Sequence, residues 1–150
     1  MLLSHIIFLE MKIKPLSITI QAINLKGMYK DAVVNTFHDS KLTMHYSLKP
    51  SPLGDTYKIR LEYALNDKPT VFVVSPKPLP LAKGETKLPH CYDTKTQRLC
   101  LYYPKANEWS KDMLLSKTII PWVYDWLYHY EIWVGTGDWT GGGIHLTSKN

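Results

Sequence analysis

Residues 88–104 read LPHCYDTKTQRLCLYYP and place His90 ten residues before Cys100. A leucine flanks the cysteine on each side, and Trp109 follows it nine residues later. Because neighbouring side chains of an extended segment point in opposite directions, two buried leucines turn the residue between them outward. The pattern therefore predicts a segment that is anchored in the core and presents a partly exposed thiol at Cys100.

Upstream of this segment, apolar and polar residues alternate in the manner of half-buried strands. The alternation covers three stretches, residues 41–48, 57–63 and 70–74. Turn-forming residues separate the stretches and favour an antiparallel meander. Three prolines and a glycine between residues 76 and 84 argue against further strand pairing before Lys87.

The stretch from Pro15 to about Val34 predicts a first helix. Apolar residues recur there at spacings near three and four, and the face they form consists of Leu16, Ile20, Ile23 and Met28. Pro15 suits the first turn of a helix, where its missing N–H has no intrahelical partner. One helix and three antiparallel strands thus precede the cysteine segment, an order that predicts an α+β fold.

The block from Thr118 to Gly135 predicts a second, tryptophan-rich helix. Thr118 is a suitable N-cap, Pro121 falls in the first turn, and Gly135 is expected to end the helix. Its apolar stripe consists of Trp122, Val123, Trp126, Leu127, Tyr130, Trp133 and Val134, and its other face carries Tyr124, Asp125, Tyr128 and His129. Such a stripe is typical of a helix packed on the core rather than of a ligand cradle.

The length of 150 residues predicts a single domain, residues 1–150, with one core. The segment from Met1 to Leu9 is apolar, but it is too short to cross a bilayer and lacks the features of a secretory signal. Residues 1–11 are therefore expected to hold a strand, or to be an extension upstream of a start at Met11.

Charge and cysteine content narrow the functional classes. The sequence has 18 basic and 13 acidic residues, a formal net charge of +5, but the lysines are scattered. A nucleic-acid-binding face needs clustered lysine and arginine, so we expect no nucleic-acid partner and no membrane partner. Two cysteines without a signal sequence indicate a cytoplasmic protein with reduced thiols.

The order of His90, a turn, Leu-Cys-Leu, Trp109 and a helix resembles the active-site region of ubiquitin-conjugating enzymes. In that family a His-Pro-Asn tripeptide leads through a turn to a thioester-forming cysteine. Here Cys91 and Tyr92 follow the histidine, so the family's Pro and Asn are absent. The resemblance implies a ubiquitin-conjugating-enzyme-like fold with an N-terminal helix, an antiparallel β-meander, a cysteine loop and a C-terminal helix.

A closer resemblance is to the bacterial ubiquitin-conjugating-like proteins of cyclic-oligonucleotide antiphage defence operons, the systems called CBASS. The residues that carry it are His90, Leu99-Cys-Leu-Tyr102, Glu108-Trp109, Thr118-Ile-Ile-Pro-Trp122, Asp125-Trp-Leu127, Tyr130-Glu131, Trp133, Thr136-Gly137, Gly141-Gly-Gly143 and His145. It implies an acyltransferase in which Cys100 is the nucleophile and forms a thioester with the C-terminal glycine of a partner. The implied partner is the cyclic-oligonucleotide synthase, with regulation of antiphage signalling as the result.

His90 is the second candidate site residue, and we expect it to hold the loop in shape through hydrogen bonds. No segment resembles an activating domain, so an activating enzyme encoded elsewhere is a further expected partner. No cofactor is expected. Tyr92 stands in the place of the family's Asn, which is thought to stabilise an oxyanion or support the loop, and it offers a hydroxyl there.

The thiolate is the reactive form of a cysteine, so nearby charges matter. Lys95 and Arg98 are candidates for lowering the pKa of Cys100. Cys91, next to Pro89 and His90, is expected to be a small packing residue. Cys100 rather than Cys91 is therefore the expected reactive thiol.

Other interpretations compete with this one. A zinc site from His90, Cys91, Cys100 and His145 has an unusual ligand spacing, and a disulfide between the two cysteines is improbable in a reducing cytosol. The sequence has no local signature of a papain-like hydrolase, and its glycine-rich residues 136–145 lack the phosphate-loop pattern. The serious alternative is a catalytically inert scaffold that binds and regulates the synthase through the same fold.

Overall fold

The computed structural model describes residues 13–103 and 106–141. The expected strand or extension at residues 1–11 and the zinc candidate His145 lie outside these ranges. Neither helix in the described part of the chain combines the length and the apolar character that crossing a membrane requires.

The described residues form two helices and one six-stranded sheet, which confirms the predicted α+β class. The helices are α1, Ile18–Met28, and α2, Ile119–Thr136. The strands are β1, Val33–Phe37; β2, Lys41–Leu48; β3, Tyr57–Ala64; β4, Thr70–Ser75; β5, Cys91–Asp93; and β6, Arg98–Leu99. Their spatial order is β1-β2-β3-β4-β6-β5, and every neighbouring pair is antiparallel.

The predicted central strands β2, β3 and β4 are confirmed, and so is the inward direction of most of their apolar residues. These strands bury Leu42, Met44, Leu48, Tyr57, Ile59, Leu61, Tyr63, Val71 and Val73 in the core that they share with α2. Tyr46 is only half-buried, and its hydroxyl lies 2.8 Å from that of Tyr124 on α2. Alternation is a reliable signal here because each strand has one face on the core and one toward solvent.

The prediction for the first helix was wrong in its extent and in its buried face. The helix begins after Ser17, whose hydroxyl accepts a hydrogen bond from the Ile20 N–H, and it ends at Met28. The residues at its predicted end, Val33 and Val34, begin β1 and pair with β2, so four strands rather than three precede the cysteine segment.

The face of α1 that packs on the core consists of Ile18, Gln21, Ala22 and Leu25. Three of the four residues predicted to be buried, Ile20, Ile23 and Met28, are instead about half exposed. Both sets have helical spacing, but the true face includes a glutamine. The Gln21 side chain is buried because its amide donates to the Met113 carbonyl and accepts from the Leu115 N–H, each at 2.9 Å.

Helix α2 agrees with the prediction at its start and differs at its end. Thr118 occupies the N-cap position, although its hydroxyl donates to the Leu114 carbonyl instead of capping the helix. Gly135 does not end the helix. The chain continues to Thr136, and Gly137 takes the left-handed conformation, with φ 79°, that typically follows a helix.

A buried glutamine fixes the hairpin that carries the cysteine segment. The Gln97 amide donates to the carbonyls of Val73 and Pro76, at 2.9 and 3.0 Å, and accepts from the Leu79 N–H at 2.6 Å. These bonds join the turn before β6 to the end of β4 and to the proline-rich segment that follows. They hold Cys100, three residues later, at a fixed position relative to the sheet.

Candidate active site

Cys100 lies directly after β6 with its side chain half-buried. Leu99 is buried in the core. Leu101 is half-buried and packs against the core. The backbone N–H of Cys100 donates to the His90 carbonyl at 3.0 Å. The flanking leucines thus hold the segment as their pattern suggests, and the thiol stays partly accessible.

His90 meets the cysteine through its backbone. Its carbonyl accepts from the Cys100 N–H and also from the indole N–H of Trp126, at 2.8 Å, so the loop is tied both to the thiol segment and to α2. Its backbone has φ 46°, in the left-handed region. The imidazole ring stacks on Trp139, with ring centroids 4.8 Å apart.

Opposing influences set the pKa of the Cys100 thiol. Burial is the largest and raises the pKa, and the charge of Glu108 acts in the same direction. Interactions with the Tyr92 side chain and the Tyr102 backbone, and the charge of Arg98, lower it. Of the two cations that the sequence suggested, Arg98 acts on the thiol, while Lys95 acts on the carboxylate of Asp93.

Cys91 lies in a different environment, although both cysteines are free thiols. Its Sγ donates to the carbonyls of Asp93 and Arg98, at 3.1 and 3.0 Å. Burial raises the pKa of Cys91 to about 11. A thiol that donates to two carbonyls is held in its protonated, unreactive form.

We expect a thiol-reactive probe to modify Cys100 before Cys91 in the folded protein near neutral pH. The thiolate is the reacting species, and a pKa of about 11 leaves Cys91 with almost none of it. Alkylation followed by peptide mapping measures the order. Equal labelling of the two sites after unfolding is the control, and preferential labelling of Cys91 in the native protein would contradict the assignment.

An open cleft of about 520 Å³ lies beside the Cys100 thiol. Its lining consists of His90, Cys100, Leu101, Glu108, Trp122, Asp125, Trp126, His129, Trp139 and Gly141. Two carboxylates and several aromatic faces together suit a positively charged group, by charge and by cation–π attraction. The cleft can therefore admit an amine next to the sulfur.

Sequence reasoning did not assign Asp125 and His129 to the site. It placed both on the face of α2 opposite the apolar stripe, whereas the α2 wall of the cleft combines them with Trp122 and Trp126 of that stripe. Their spacing of four residues, which puts them on one side of a helix, was the available signal. The distance in sequence between α2 and the cysteine segment concealed the connection.

The described residues contain no group of three or more histidine, cysteine or acidic side chains placed to hold a metal ion. The zinc candidates that they include are arranged in another way. The Cys91 thiol is directed at backbone carbonyls, and the His90 ring is stacked on an indole.

Comparison with known proteins identifies one family. The model of the family described as E2-CBASS, Type II CBASS E2 protein, matches residues 21–146. The match includes both predicted site residues and every residue that lines the cleft. No curated protein matches the chain.

Proposed function

The chain belongs to the family of type II CBASS E2 proteins, and from that premise we propose that Cys100 carries an acyl group as a thioester. The acyl group comes from the C-terminal glycine of a partner, the cyclic-oligonucleotide synthase of the same defence system. The observation that supports this most directly is the half-buried Cys100 thiol at the edge of an open cleft, on a loop tied down by His90. On this proposal the domain has the ubiquitin-conjugating-enzyme-like fold and acts in the cytosol, where thiols stay reduced.

The proposed chemistry has two steps. The Cys100 thiolate attacks the carbonyl carbon of an activated C-terminus, the new carbon–sulfur bond forms, and the activating group leaves with its electron pair. An amine then attacks the same carbon, an amide bond forms, the thiolate leaves and the amine gives up a proton. The activated C-terminus is supplied by an activating enzyme encoded elsewhere.

The second candidate is the inert scaffold, and one observation favours it. Burial raises the pKa of Cys100, which reduces the fraction of thiolate near neutral pH. A scaffold needs no thiolate, whereas a carrier must compensate for the burial locally. The interaction with Tyr92 and the charge of Arg98 offset part of the effect of burial, although the pKa of Cys100 stays raised.

We expect coexpression with the synthase and an activating enzyme to yield a covalent adduct that a reducing thiol releases. A gel run with and without reductant, followed by mass analysis of the joined peptides, detects it and locates it at Cys100. Cys91→Ser is the matched control and should keep the adduct, because its hydroxyl can make the same bonds to the Asp93 and Arg98 carbonyls. A bound synthase with an intact C-terminus and no adduct would support the scaffold instead.

A further inference from the structure

We propose that Tyr92 is a catalytic residue that acts on the Cys100 sulfur: its phenolic hydroxyl donates a hydrogen bond to the thiolate, and Arg98 holds the phenol in place. The catalytic role of Tyr92 rests on the proposed function. The effect of its hydroxyl on the reactivity of the Cys100 thiol can be tested without the partner protein.

The β5–β6 hairpin carries the side chains of both Tyr92 and Cys100. Strand β5 pairs with β6, with Cys91 opposite Leu99. The β5 register shifts at Tyr92, whereas Arg98 and Cys100 flank Leu99 and so project to the face opposite to it. The Tyr92 ring lies against the Arg98 guanidinium, which puts it on the same face as Cys100. The interaction with the Tyr92 side chain lowers the pKa of the Cys100 thiol, as a hydrogen-bond donor near the sulfur would.

Arg98 completes the arrangement from the neighbouring strand. Its guanidinium carbon lies 4.7 Å from the centre of the Tyr92 ring, within the range of a cation–π contact. The contact restricts the ring, which is 43% exposed and would otherwise sample several rotamers. The same positive charge favours the thiolate, so Arg98 acts on Cys100 both directly and through Tyr92.

The surroundings of the Tyr92 phenol favour its protonated form. Burial, and then the interaction with Cys100, raise the pKa of Tyr92 well above its ordinary value. The neutral phenol has a proton to donate to the sulfur. A donor to the ionised form lowers the pKa of the sulfur and offsets part of the cost of burial.

Other groups also lie near the Cys100 sulfur, so a test must distinguish their effects on the thiol from that of Tyr92. Glu108, on the segment after β6, opposes ionisation. Asp125 and His129 of α2 line the same cleft, and the Cys100 Sγ donates to the Tyr102 backbone carbonyl at 3.4 Å.

The hydroxyl has a role in both proposed steps. It stabilises the thiolate before attack on the acyl carbon, and it stabilises the sulfur again as the thiolate leaves during transfer to the amine. A thioester sulfur carries little negative charge and is a weak acceptor. The hydrogen bond from Tyr92 is therefore weaker in the thioester intermediate than to the free thiolate, which is present before the first step and after the second. The phenol thereby favours departure of the sulfur in the second step.

The test is Tyr92→Phe, which removes the hydroxyl and keeps the ring for Arg98. The rate of Cys100 alkylation by iodoacetamide is followed against pH in the whole chain, in a Cys91→Ser background. We expect the midpoint to rise by about one pH unit, which corresponds to about ten-fold less thiolate below the midpoint. Thermal melting checks that the variant folds.

Tyr102→Phe is the matched control, because it removes a nearby hydroxyl and leaves the backbone carbonyl that contacts Cys100. Its midpoint should equal that of the parent. Arg98→Lys is a second variant that keeps the charge and loses the flat stacking on Tyr92, and it should give a smaller rise than Tyr92→Phe. Equal midpoints for Tyr92→Phe and the parent, in two folded proteins, would overturn the proposal.

Because the alkylation assay contains no synthase, its result is separate from the fate of the proposed function. A raised midpoint in a protein that never forms an adduct would retain Tyr92 as a partner of the thiol and reject the carrier. An adduct at Cys100 with an unchanged midpoint in Tyr92→Phe would retain the carrier and reject the role of Tyr92.

Discussion

Cys100→Ser is expected to accumulate an ester with the synthase that reductant does not release, and Cys100→Ala is expected to form no adduct. The serine hydroxyl can still receive an acyl group, slowly, because it lacks the ready ionisation of a thiol. The resulting oxygen ester transfers poorly to amines, so it persists. The measurement is the intact mass of each variant after coexpression with the synthase and the activating enzyme.

Both variants should keep their affinity for the synthase and their melting temperature. A protein interface depends on many residues, and one small, half-buried side chain contributes little of its free energy. The scaffold gives a different outcome, in which the wild type carries no adduct and all three proteins support defence equally. If Cys100→Ala instead lowers the melting temperature and the affinity together, the side chain is structural and the thioester proposal loses its main support.

The sequence was informative where one face of an element packs on the core and the other meets solvent. The alternation in β2 and β3 and the apolar stripe of α2 reflect which side chains are buried. The positions of these three elements in the sequence therefore follow from the hydrophobic pattern alone. Strand β1 gave no such signal, because Val34 is the one buried residue among its five. An edge strand with four exposed residues looks the same as the end of a helix or a loop.

Buried polar residues account for the other errors. Gln21 and Gln97 are almost fully buried, yet a reading of hydrophobic pattern assigns glutamine to the surface. Each is buried because backbone groups distant in sequence satisfy its amide, and those partners are known only once the chain has folded. The buried face of α1 was misassigned for this reason. The hydrogen bonds by which Gln97 fixes the cysteine segment, called the Gln97 clamp below, were not predicted.

In the candidate site, too, local patterns were visible in the sequence and contacts between distant segments were not. Cys100 and His90 were proposed from a local order of residues, and the structure brings them together through one backbone hydrogen bond. The cleft could not be predicted, because α2 and the Trp139 segment supply most of its wall. The sequence supplied Tyr92 as a hydroxyl near the site, and its contact with Arg98, which puts its ring on the same face as Cys100, depends on the folding of the hairpin.

Gln97→Met is expected to lower the free energy of unfolding by about 3 kcal/mol or more, because it leaves buried backbone groups without partners. Methionine fills nearly the same space but cannot donate to the Val73 and Pro76 carbonyls or accept from the Leu79 N–H. For a chain of this size the loss corresponds to a fall of roughly 10 °C in melting temperature. Thermal and urea unfolding measure it, and Lys95→Ala, two residues away on the exposed turn, is the control with little expected change.

Gln97→Glu separates the hydrogen bonds from mere packing. The carboxylate keeps the shape and the acceptor for Leu79, but it sets a negative charge against the Val73 and Pro76 carbonyls. Burial should raise the pKa of this glutamate above its unfolded value of about 4.3, so the variant is least destabilised relative to the wild type below that pH, and the difference grows as the pH rises through the folded pKa. Gln97→Met has no such group and should show no added pH dependence relative to the wild type. Equal stability of Gln97→Met and the wild type would mean that the clamp does not fix the hairpin, and the position of Cys100 would then need another cause.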